Sequence, residues 1–396
     1  MEQGRLRLAL ICFDNPFLLP AEGGKKSMMS RIKSLLYLEK YDIDIYLLNK
    51  RTEGFAEIPD DIKTKTMSVT QYQMRSGLKV ILEKYPICVN KRYVTQCAAD
   101  IKNKSYDIAI CEGEQVSAYR FENIIHAKYF ILFMHNIESK YRAEIAKSLN
   151  NPLLKIANKR ESARFKTIEK RINDYFDQVW FISKDECEYF CKSFIPPKKV
   201  TYLPSPAITF NKDACGTDKY KRLLYVGDMT VKHNVLSMIW FAEAVFSTIK
   251  NSIPDAELVL IGRVNELDKN KLISLGATVK GYVEDLDQEF NEAACFICPV
   301  LYGAGVKVKT IDALAMGQIV ITNSKGIEGT ELENGKHLFV SDTVDGLVNT
   351  CIEVLQDRKK YLRIAEQGLK FVKKYHSIEY QAELIESKIS ELYSKS

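Results

Sequence analysis

The chain has 396 residues, which is more than one hydrophobic core usually supports, so two domains of ordinary size are expected. Its 46% hydrophobic and 27% charged residues are typical of a packed globular protein and argue against a disordered or fibrous chain. The net charge of +6 is modest, and no nucleic-acid partner is expected.

The cysteines and the apolar runs exclude further classes of protein. The ten cysteines are scattered rather than placed at the spacings of a disulfide framework, so a reducing compartment is expected. Cys295 and Cys298 form a C-x-x-C, but they lie in an apolar run without a second pair at metal-ligand spacing, which favours a buried strand over a zinc site. Because no apolar run approaches the roughly 18 residues of a membrane-spanning helix, the chain is not expected to cross a bilayer.

The N-terminal half alternates short apolar runs with longer helical patterns. The first run, Leu6 to Phe13, is followed at once by polar residues and a proline, so it predicts a buried strand rather than a signal peptide. The next predicted elements are a helix near Ser27 to Glu39 and strands at Ile43 to Leu48, Ile108 to Cys111, Tyr129 to Met134 and Val179 to Ile182. This alternation predicts a parallel sheet flanked by helices.

A basic segment from Lys140 to Arg171 lies between the last two of these strands. It holds ten Lys and Arg against three Glu, interleaved with Leu, Ile and Phe. Such a stretch is typical of an amphipathic helix pair that lies on an anionic membrane surface, but a solvated helical face explains it equally well. Both interpretations stay open.

The second half repeats the alternation after a break. Residues 207–219 are rich in turn formers, which predicts a linker between an N-terminal domain of residues 1–206 and a C-terminal domain of residues 220–375. Strands are predicted at Arg222 to Val226, Glu257 to Ile261, Thr278 to Lys280, Ala294 to Pro299 and Ile319 to Thr322. Residues 376–396 are predicted to form a last helix. Ligands of doubly wound sheets bind outside the carboxyl ends of the strands.

The most informative loop follows the fourth predicted strand of the second half. Gly303 and Gly305 make a turn, and a helix is predicted to start near Val306, so free backbone N–H groups and the positive end of a helix dipole converge there. Lys309 adds a cation, and Asp312 falls on the same helical face about one turn further on. This pattern predicts a phosphate site, with the carboxylate of Asp312 accepting from both hydroxyls of a nucleotide ribose.

Three other patterns compete with the phosphate site in this loop and near the first glycines of the chain. A glycine turn before an ordinary amphipathic helix, with Lys307, Lys309 and Asp312 merely exposed, stays open. A dinucleotide fingerprint would need a glycine where Val308 stands. A P-loop is excluded, because Gly24-Lys-Lys-Ser27 has the wrong register and lacks the earlier glycine.

Six segments of the second half resemble, in order and spacing, the donor-binding domain of retaining GT-B glycosyltransferases of family four, in its glycine-rich branch. They are Tyr225-Val-Gly-Asp-Met229, Leu260-Ile-Gly-Arg263, Val279-Lys-Gly-Tyr-Val283, Gly303-Ala-Gly-Val-Lys-Val-Lys309, Asp312-Ala-Leu-Ala-Met-Gly317 and Gly326-Ile-Glu-Gly329. The likeness in the first half is thinner and rests on Glu22-Gly-Gly24 and His135-Asn-Ile-Glu138. The resemblance implies two Rossmann-like domains that face a cleft, with C-terminal helices packing back toward the N-terminal domain.

The resemblance also implies roles for the matching positions. The donor-binding positions are Gly23, Gly24, Gly227, Lys232, Gly262, Arg263, Tyr282, Val283, Gly303, Gly305, Val306, Lys309 and Asp312. The base would be held at 262–263 and 282–283, the ribose by Asp312, and the diphosphate by Lys309 with the amides of the glycine turn. The catalytic positions are His135, near the anomeric centre, with Lys309 and Asp312. Gly23 and Gly24 would let an N-terminal loop approach the donor phosphate or the acceptor.

Two departures from the family pattern change what the resemblance implies. Many relatives carry an acidic residue where Ala304 stands, so contacts to the sugar would come from the backbone or from elsewhere. A basic residue after the first glycine of the domain is replaced by Asp228, which leaves the neutralisation of phosphate to Lys309 and Lys232.

The expected function is a metal-independent, retaining glycosyltransferase that needs no cofactor beyond its UDP- or GDP-sugar co-substrate. The acceptor would be a saccharide or a lipid-linked glycan of bacterial surface polysaccharide or glycoconjugate biosynthesis. The protein is expected in the cytoplasm, peripheral on the inner face of the membrane. A non-catalytic nucleotide-sugar-binding subunit and a sugar-nucleotide epimerase are the alternatives. Transfer of the sugar from the donor to an acceptor would distinguish a transferase from both.

Overall fold

A computed structural model describes residues 5–18, 23–149, 151–196, 199–303 and 305–394 of the chain. The chain divides into two compact units. The N-terminal unit comprises Met1–Ser205 and Ile378–Ser396, and the C-terminal unit comprises Pro206–Ser377. Each unit contains one parallel sheet with helices in its connections, which confirms the predicted α/β, doubly wound architecture.

Seven strands form the sheet of the N-terminal unit. They are β1 (Leu6–Cys12), β2 (Tyr41–Asn49), β3 (Ser68–Gln73), β4 (Ser105–Glu112), β5 (His126–Met134), β6 (Gln178–Phe181) and β7 (Val200–Tyr202). They pair in parallel in the order β3-β2-β1-β4-β5-β6-β7. The central strands are near-continuous buried apolar runs, as expected for strands covered on both faces. The edge strands β3 and β7 escaped sequence-based prediction because they are largely half-buried and carry polar residues.

The described residues of the N-terminal unit form ten α-helices before β7. They are α1 (Gly23–Tyr37), α2 (Asp60–Lys63), α3 (Lys79–Leu82), α4 (Ile87–Arg92), α5 (Thr95–Lys102), α6 (Ala118–Phe121), α7 (Glu138–Ser148), α8 (Pro152–Glu169), α9 (Ile172–Tyr175) and α10 (Lys184–Ser193). The basic segment therefore forms the predicted helix pair, α7 and α8. In the described part of the chain, no helix combines the length and the apolar character that crossing a bilayer requires.

Six strands form the sheet of the C-terminal unit. They are β8 (Arg222–Val226), β9 (Glu257–Ile261), β10 (Ala277–Lys280), β11 (Cys295–Cys298), β12 (Val320–Thr322) and β13 (Phe339–Val340). They pair in parallel in the order β10-β9-β8-β11-β12-β13, and the predicted bounds of β8 and β9 are confirmed to the residue. Both cysteines of the C-x-x-C are buried and free in β11, and the described residues hold no cluster suited to a metal ion.

The helices of the C-terminal unit lie in the connections between these strands and after them. They are α11 (Lys232–Phe241), α12 (Ser247–Ser252), α13 (Glu266–Ser274), α14 (Leu286–Glu292), α15 (Val308–Ala315), α16 (Val344–Gln356) and α17 (Leu362–Tyr375). A π-helical turn, Ala242–Phe246, joins α11 to α12. The prediction that α15 starts near Val306 was wrong by two residues, because the chain turns into the helix only after Lys307.

Residues 207–219, predicted as a linker, include a segment packed against the C-terminal unit. The amide of Asn211 donates to the carbonyl of Ala315 (2.9 Å), and the amide of Cys215 donates to the carbonyl of Gly317 (3.0 Å). The guanidinium of Arg358, which is buried, donates to the carbonyls of Cys215 and Ala294. This segment is therefore part of the unit's structure and not a free tether.

The last helix, α18 (Ile378–Tyr393), belongs to the N-terminal unit. The hydroxyl of Ser34 on α1 donates to the carbonyl of Ile378 (3.2 Å), and the carboxylate of Glu386 accepts from Lys40 (2.5 Å). The side chain of Gln178 donates to the carbonyl of Lys388 (2.9 Å). The expectation that the C-terminal end packs on the N-terminal domain is confirmed.

Candidate functional site

The glycine loops of the C-terminal unit follow β8, β9, β10 and β11, and the parallel pairing brings these loops to one edge of the sheet. The amide of Gly227 donates to the carbonyl of Ile261 (2.9 Å), and the amide of Gly262 donates to the carbonyl of Gly281 (3.1 Å). Gly262 has a φ of +135°, and a Cβ there would lie 2.0 Å from the carbonyl oxygen of Gly227. Only glycine lets these two backbones approach so closely.

The turn before α15 is stabilised by its own lysine, Lys307. Gly303 (φ 121°) and Gly305 (φ 80°) both adopt positive φ values that favour glycine. The ammonium of Lys307 is buried, donates to the carbonyl of Gly305 (2.5 Å) and lies 3.9 Å from the carboxylate of Glu328. Lys307 therefore stabilises the turn. It is not exposed, as it would be if the loop were only a glycine turn before an ordinary amphipathic helix. Ala304 lies outside the described residues.

Lys309 is the second residue of α15 and is partly buried. Its ammonium lies 2.7 Å from the hydroxyl of Tyr225 and 2.7 Å from the side-chain oxygen of Asn234. Burial raises the pKa of Tyr225 well above its usual value, so both of these acceptors are uncharged. Asp312 follows one turn later on the same helix and is also partly buried. The phosphate interpretation thus finds a fixed cation at the start of a helix.

A histidine that the sequence analysis missed lies beside this cation. The ring of His233 lies 3.9 Å from where a Cβ on Gly303 would stand. Burial, together with the charges of Lys309 and Lys307, lowers the pKa of His233 to about 4, so the imidazole is neutral at neutral pH. Its position between Lys232 and Asn234 at the start of α11 was the available signal.

Two of the side chains at the positions predicted to hold the base are more exposed than Lys309 and Asp312. The guanidinium of Arg263 pairs with the carboxylate of Asp228 at 2.5 Å, while the side chain of Tyr282 is 82% exposed. Against the effect of burial, hydrogen bonds from Thr230 and the charge of Arg263 hold the pKa of Asp228 below its usual value. The acidic residue that departs from the family pattern is therefore neutralised by its own neighbour. Lys232 is exposed at the start of α11.

In the N-terminal unit, Gly23 and Gly24 are the first residues of α1, so their predicted place in a loop was wrong. A Cβ on Gly24 would lie 3.6 Å from the ring of Phe13, which is ordinary van der Waals contact. Glu22, quoted with them, lies outside the described residues. What these glycines present is thus the start of a 15-residue helix rather than a flexible turn.

His135 follows β5 and is 7% exposed. Its Nε2 lies 2.8 Å from the carboxylate of Glu112, and that carboxylate also accepts from Nε of Arg31 at 2.6 Å. Glu112 and Arg31 are fully buried. The rings of Phe13 and Phe133 meet the imidazole edge-on, each with centroids 5.1 Å away. Glu112 and Arg31 were missed because only the fold brings them to His135, although a charged residue directly after the apolar run 108–111 was a signal.

The chain after His135 is fixed by three buried carboxylates. The amide of Ile137 donates to Glu186 (3.0 Å), and the amide of Ser139 donates to Glu169 (3.0 Å). The amide of Glu138 donates to a third carboxylate, that of Glu114, at 3.1 Å. Each of three consecutive amides at the start of α7 thus has its own acceptor. This arrangement holds the segment that carries His135 in one position.

Comparison with known proteins finds relatives for the C-terminal unit and for the chain as a whole. Residues 220–357 match the family model of glycosyl transferases group 1. An uncharacterised 44.6 kDa protein in the cps region of Klebsiella pneumoniae is 28% identical over 353 residues, covering 85% of this chain and 87% of that protein.

Solved structures of glycosyltransferases share the fold over the whole chain. Sucrose-phosphate synthase from Thermosynechococcus elongatus has a TM-score of 0.72 at 15% identity and covers 99% of this chain and 100% of its own. Anabaena HepE in complex with UDP-glucose has a TM-score of 0.66 at 12% identity, with 98% and 100% covered. Residues 220–357 of the C-terminal unit are thus similar to glycosyl transferases group 1, and the chain has the GT-B fold of these solved structures.

Proposed function

We propose that the chain is a retaining glycosyltransferase that moves a sugar from a UDP- or GDP-sugar to a saccharide or lipid-linked glycan acceptor. The observation that carries this proposal is the ammonium of Lys309, held 2.7 Å from Tyr225 and from Asn234 in the first turn of α15, directly after the glycine turn. The bound UDP-glucose of HepE supports the donor class, and the relative in a cps region supports a setting in surface polysaccharide assembly.

The donor is assigned to the C-terminal unit. In this proposal the backbone at Gly262 and Val283 holds the base, with Arg263 and Tyr282 at its edge. The carboxylate of Asp312 accepts from the ribose hydroxyls. The diphosphate lies at the start of α15, where Lys309 and the helix dipole meet its charge. The remaining contacts to the diphosphate come from Gly227, Lys232, Gly303, Gly305 and Val306.

The reaction breaks the bond between the anomeric carbon and the β-phosphate oxygen and forms a bond from that carbon to an acceptor hydroxyl oxygen. Negative charge develops on the departing diphosphate, so a cation fixed beside it stabilises the transition state most. The departing phosphate oxygen takes the proton of the acceptor hydroxyl on the same face of the sugar, which retains the configuration. We assign the neutralisation of charge to Lys309 and Lys232 and not to a metal ion.

The N-terminal unit is assigned the sugar and the acceptor. His135 contacts the transferred sugar near its anomeric centre, and the start of α1 at Gly23 and Gly24 presents backbone to the donor phosphate or to the acceptor. The chain would carry out this reaction in the cytoplasm.

The test is to incubate the purified protein with UDP-sugars and GDP-sugars and to measure release of the nucleoside diphosphate with and without saccharide acceptors. Lys309→Ala is expected to reduce turnover on the order of 100-fold, because it removes the fixed cation. Lys370→Ala, an exposed lysine on α17, is the matched control and should transfer normally. Normal turnover by Lys309→Ala, or binding without turnover by the native chain, would overturn the proposal.

We further propose that α8 rests on an anionic membrane surface, where a lipid-linked acceptor would be found. Its first two turns expose Leu153 (76%), Leu154 (52%) and Ile156 (64%), whereas its second half buries Phe165 and Ile168. Lys155, Lys159 and Arg160 are exposed on the same turns. Apolar side chains that enter the interface beside cations that meet anionic headgroups are the requirement for such a surface.

This surface is tested by co-sedimentation with vesicles of phosphatidylglycerol and phosphatidylcholine and with vesicles of phosphatidylcholine alone. Binding is expected to the anionic vesicles, to weaken with salt, and to fall when Leu153 and Leu154 are both changed to Ser. Leu267→Ser is the matched control, because Leu267 is an equally exposed leucine (81%) on α13 of the other unit. Equal partition onto both kinds of vesicle would contradict the assignment.

A further inference from the structure

We propose that Glu112 is a positioning residue that holds His135 as the Nε2–H tautomer, so that Nδ1 accepts a hydrogen bond from a hydroxyl of the sugar ligand. This inference rests on the proposed function, in which His135 contacts the transferred sugar. It adds two residues, Glu112 and Arg31, which no motif of the sequence pointed to.

The charge state of Glu112 is set by Arg31. The carboxylate of Glu112 is fully buried and lies 2.6 Å from Nε of Arg31, which is fully buried as well. A buried charge is stable only with a partner, and here the guanidinium is that partner. It also lies 3.2 Å from the ring centroid of Phe133, which adds a cation–π contact. Glu112 is therefore ionised.

The ionised carboxylate decides where the proton of the imidazole lies. An ionised carboxylate only accepts hydrogen bonds, so the proton in the 2.8 Å contact between Glu112 and His135 belongs to Nε2 of the histidine. In the neutral form of the imidazole the lone pair then lies on Nδ1. A hydroxyl group, which can donate, is the complement of such an atom.

Nδ1 of His135 is buried and has no hydrogen-bond partner among the described residues. A buried polar atom left unpaired is costly, and in the proposed sugar site a hydroxyl of the ligand would satisfy this one. The edge-on rings of Phe13 and Phe133 fix the plane of the imidazole. The three carboxylates at the start of α7 fix the backbone behind it. The atom is thus held in one direction before any sugar binds.

The experiment reads the tautomer directly, by two-dimensional NMR of the full chain labelled with [¹⁵N]histidine, with the His135 signals assigned from their loss in His135→Asn. The Nε2–H tautomer is expected in the ligand-free native chain. In Glu112→Gln the carbonyl oxygen turns to Arg31 and the NH₂ group faces His135, so the imidazole is expected to switch to Nδ1–H. Turnover should fall by roughly 10-fold as the acceptor becomes a donor.

Glu289→Gln is the matched control, since it changes a buried carboxylate on α14 of the other unit to an amide, and the tautomer should stay Nε2–H. An Nδ1–H tautomer in the native chain would overturn the proposal, and this spectrum decides even if Glu112→Gln does not fold. An unchanged tautomer and unchanged turnover in a folded Glu112→Gln would overturn it too. Absence of turnover from the native chain with every donor tested would instead contradict the proposed function, and the tautomer measured by NMR would be unaffected.

Discussion

The two units handle charge in opposite ways at their candidate sites. In the C-terminal unit Lys309 is only partly buried and lies against the uncharged side chains of Tyr225 and Asn234, beside a histidine kept neutral. In the N-terminal unit Arg31 and Glu112 are fully buried and bonded to each other. The first arrangement places a cation at the proposed diphosphate site, whereas the second joins two opposite charges inside the fold and suits a fixed hydrogen-bond acceptor.

Because of this difference, we expect Lys309 to matter mainly for turnover and the pair of Arg31 and Glu112 mainly for stability. Lys309 is only partly buried, so removing its ammonium should affect turnover far more than the free energy of unfolding. A buried ion pair leaves an uncompensated charge when one partner is removed, so the fold should suffer first. Each of the following variants changes a residue in one of the two units and tests this difference.

The largest effect is expected for Arg31→Met. The variant leaves Glu112 buried without its guanidinium, and the free energy of unfolding should fall by about 3–5 kcal/mol. Urea denaturation measures this loss, with Lys309→Ala as the contrasting variant, for which a change below about 1 kcal/mol is expected. A loss of similar size in both variants would contradict the comparison.

His233 should make the stability of the C-terminal unit depend on pH. Its pKa is about 4 in the folded chain against a usual 6.5, so the unfolded state binds more protons between these values, and stability falls as the pH drops from about 6.5 toward 4. The full contribution is about 3 kcal/mol. His233→Gln should remove that part of the pH dependence of unfolding, whereas His126→Gln, at an exposed histidine, should leave it unchanged. Curves that stay parallel for native chain and His233→Gln would refute the burial of a neutral imidazole.

The backbone of the donor site is tested by Gly262→Ala. The new Cβ meets the carbonyl oxygen of Gly227 at 2.0 Å, and the backbone has a φ of +135°, so one loop must shift. We expect a loss of about 1–3 kcal/mol in unfolding free energy and weaker binding of nucleotide, measured by calorimetry with UDP and GDP. Gly281→Ala is the control in the neighbouring loop, since its Cβ meets nothing within 4 Å. Equal effects from the two would show that close backbone approach is not what the glycine provides.

The smallest effect is expected for Lys232→Ala. This lysine is exposed at the start of α11, where solvent screens its charge, so diphosphate affinity should fall only about threefold and stability should not change. A calorimetric titration with UDP at low and high salt measures it. A loss as large as that of Lys309→Ala would move the centre of the phosphate site toward α11.

The sequence revealed the C-terminal site better than the N-terminal one for a physical reason. The glycine turn, Lys309 and Asp312 lie within ten residues, so local spacing carries the signal. Glu112 is 81 residues from Arg31, and nothing local distinguishes a buried ion pair from two surface charges. The central strands β8 and β9 were predicted to the residue because they are buried apolar runs. The edge strand β3 was not, because its partly exposed residues lack that pattern.

The packing of α18 has a consequence for biosynthesis. The chain leaves the N-terminal unit after Ser205 and returns to it at Ile378, so translation makes the entire C-terminal unit before the N-terminal unit has its last helix. Until then the groups on α1 and β2 that bond Ile378 and Glu386 lack their partners. The unit whose synthesis begins first therefore receives its last helix only after the other unit has been made in full.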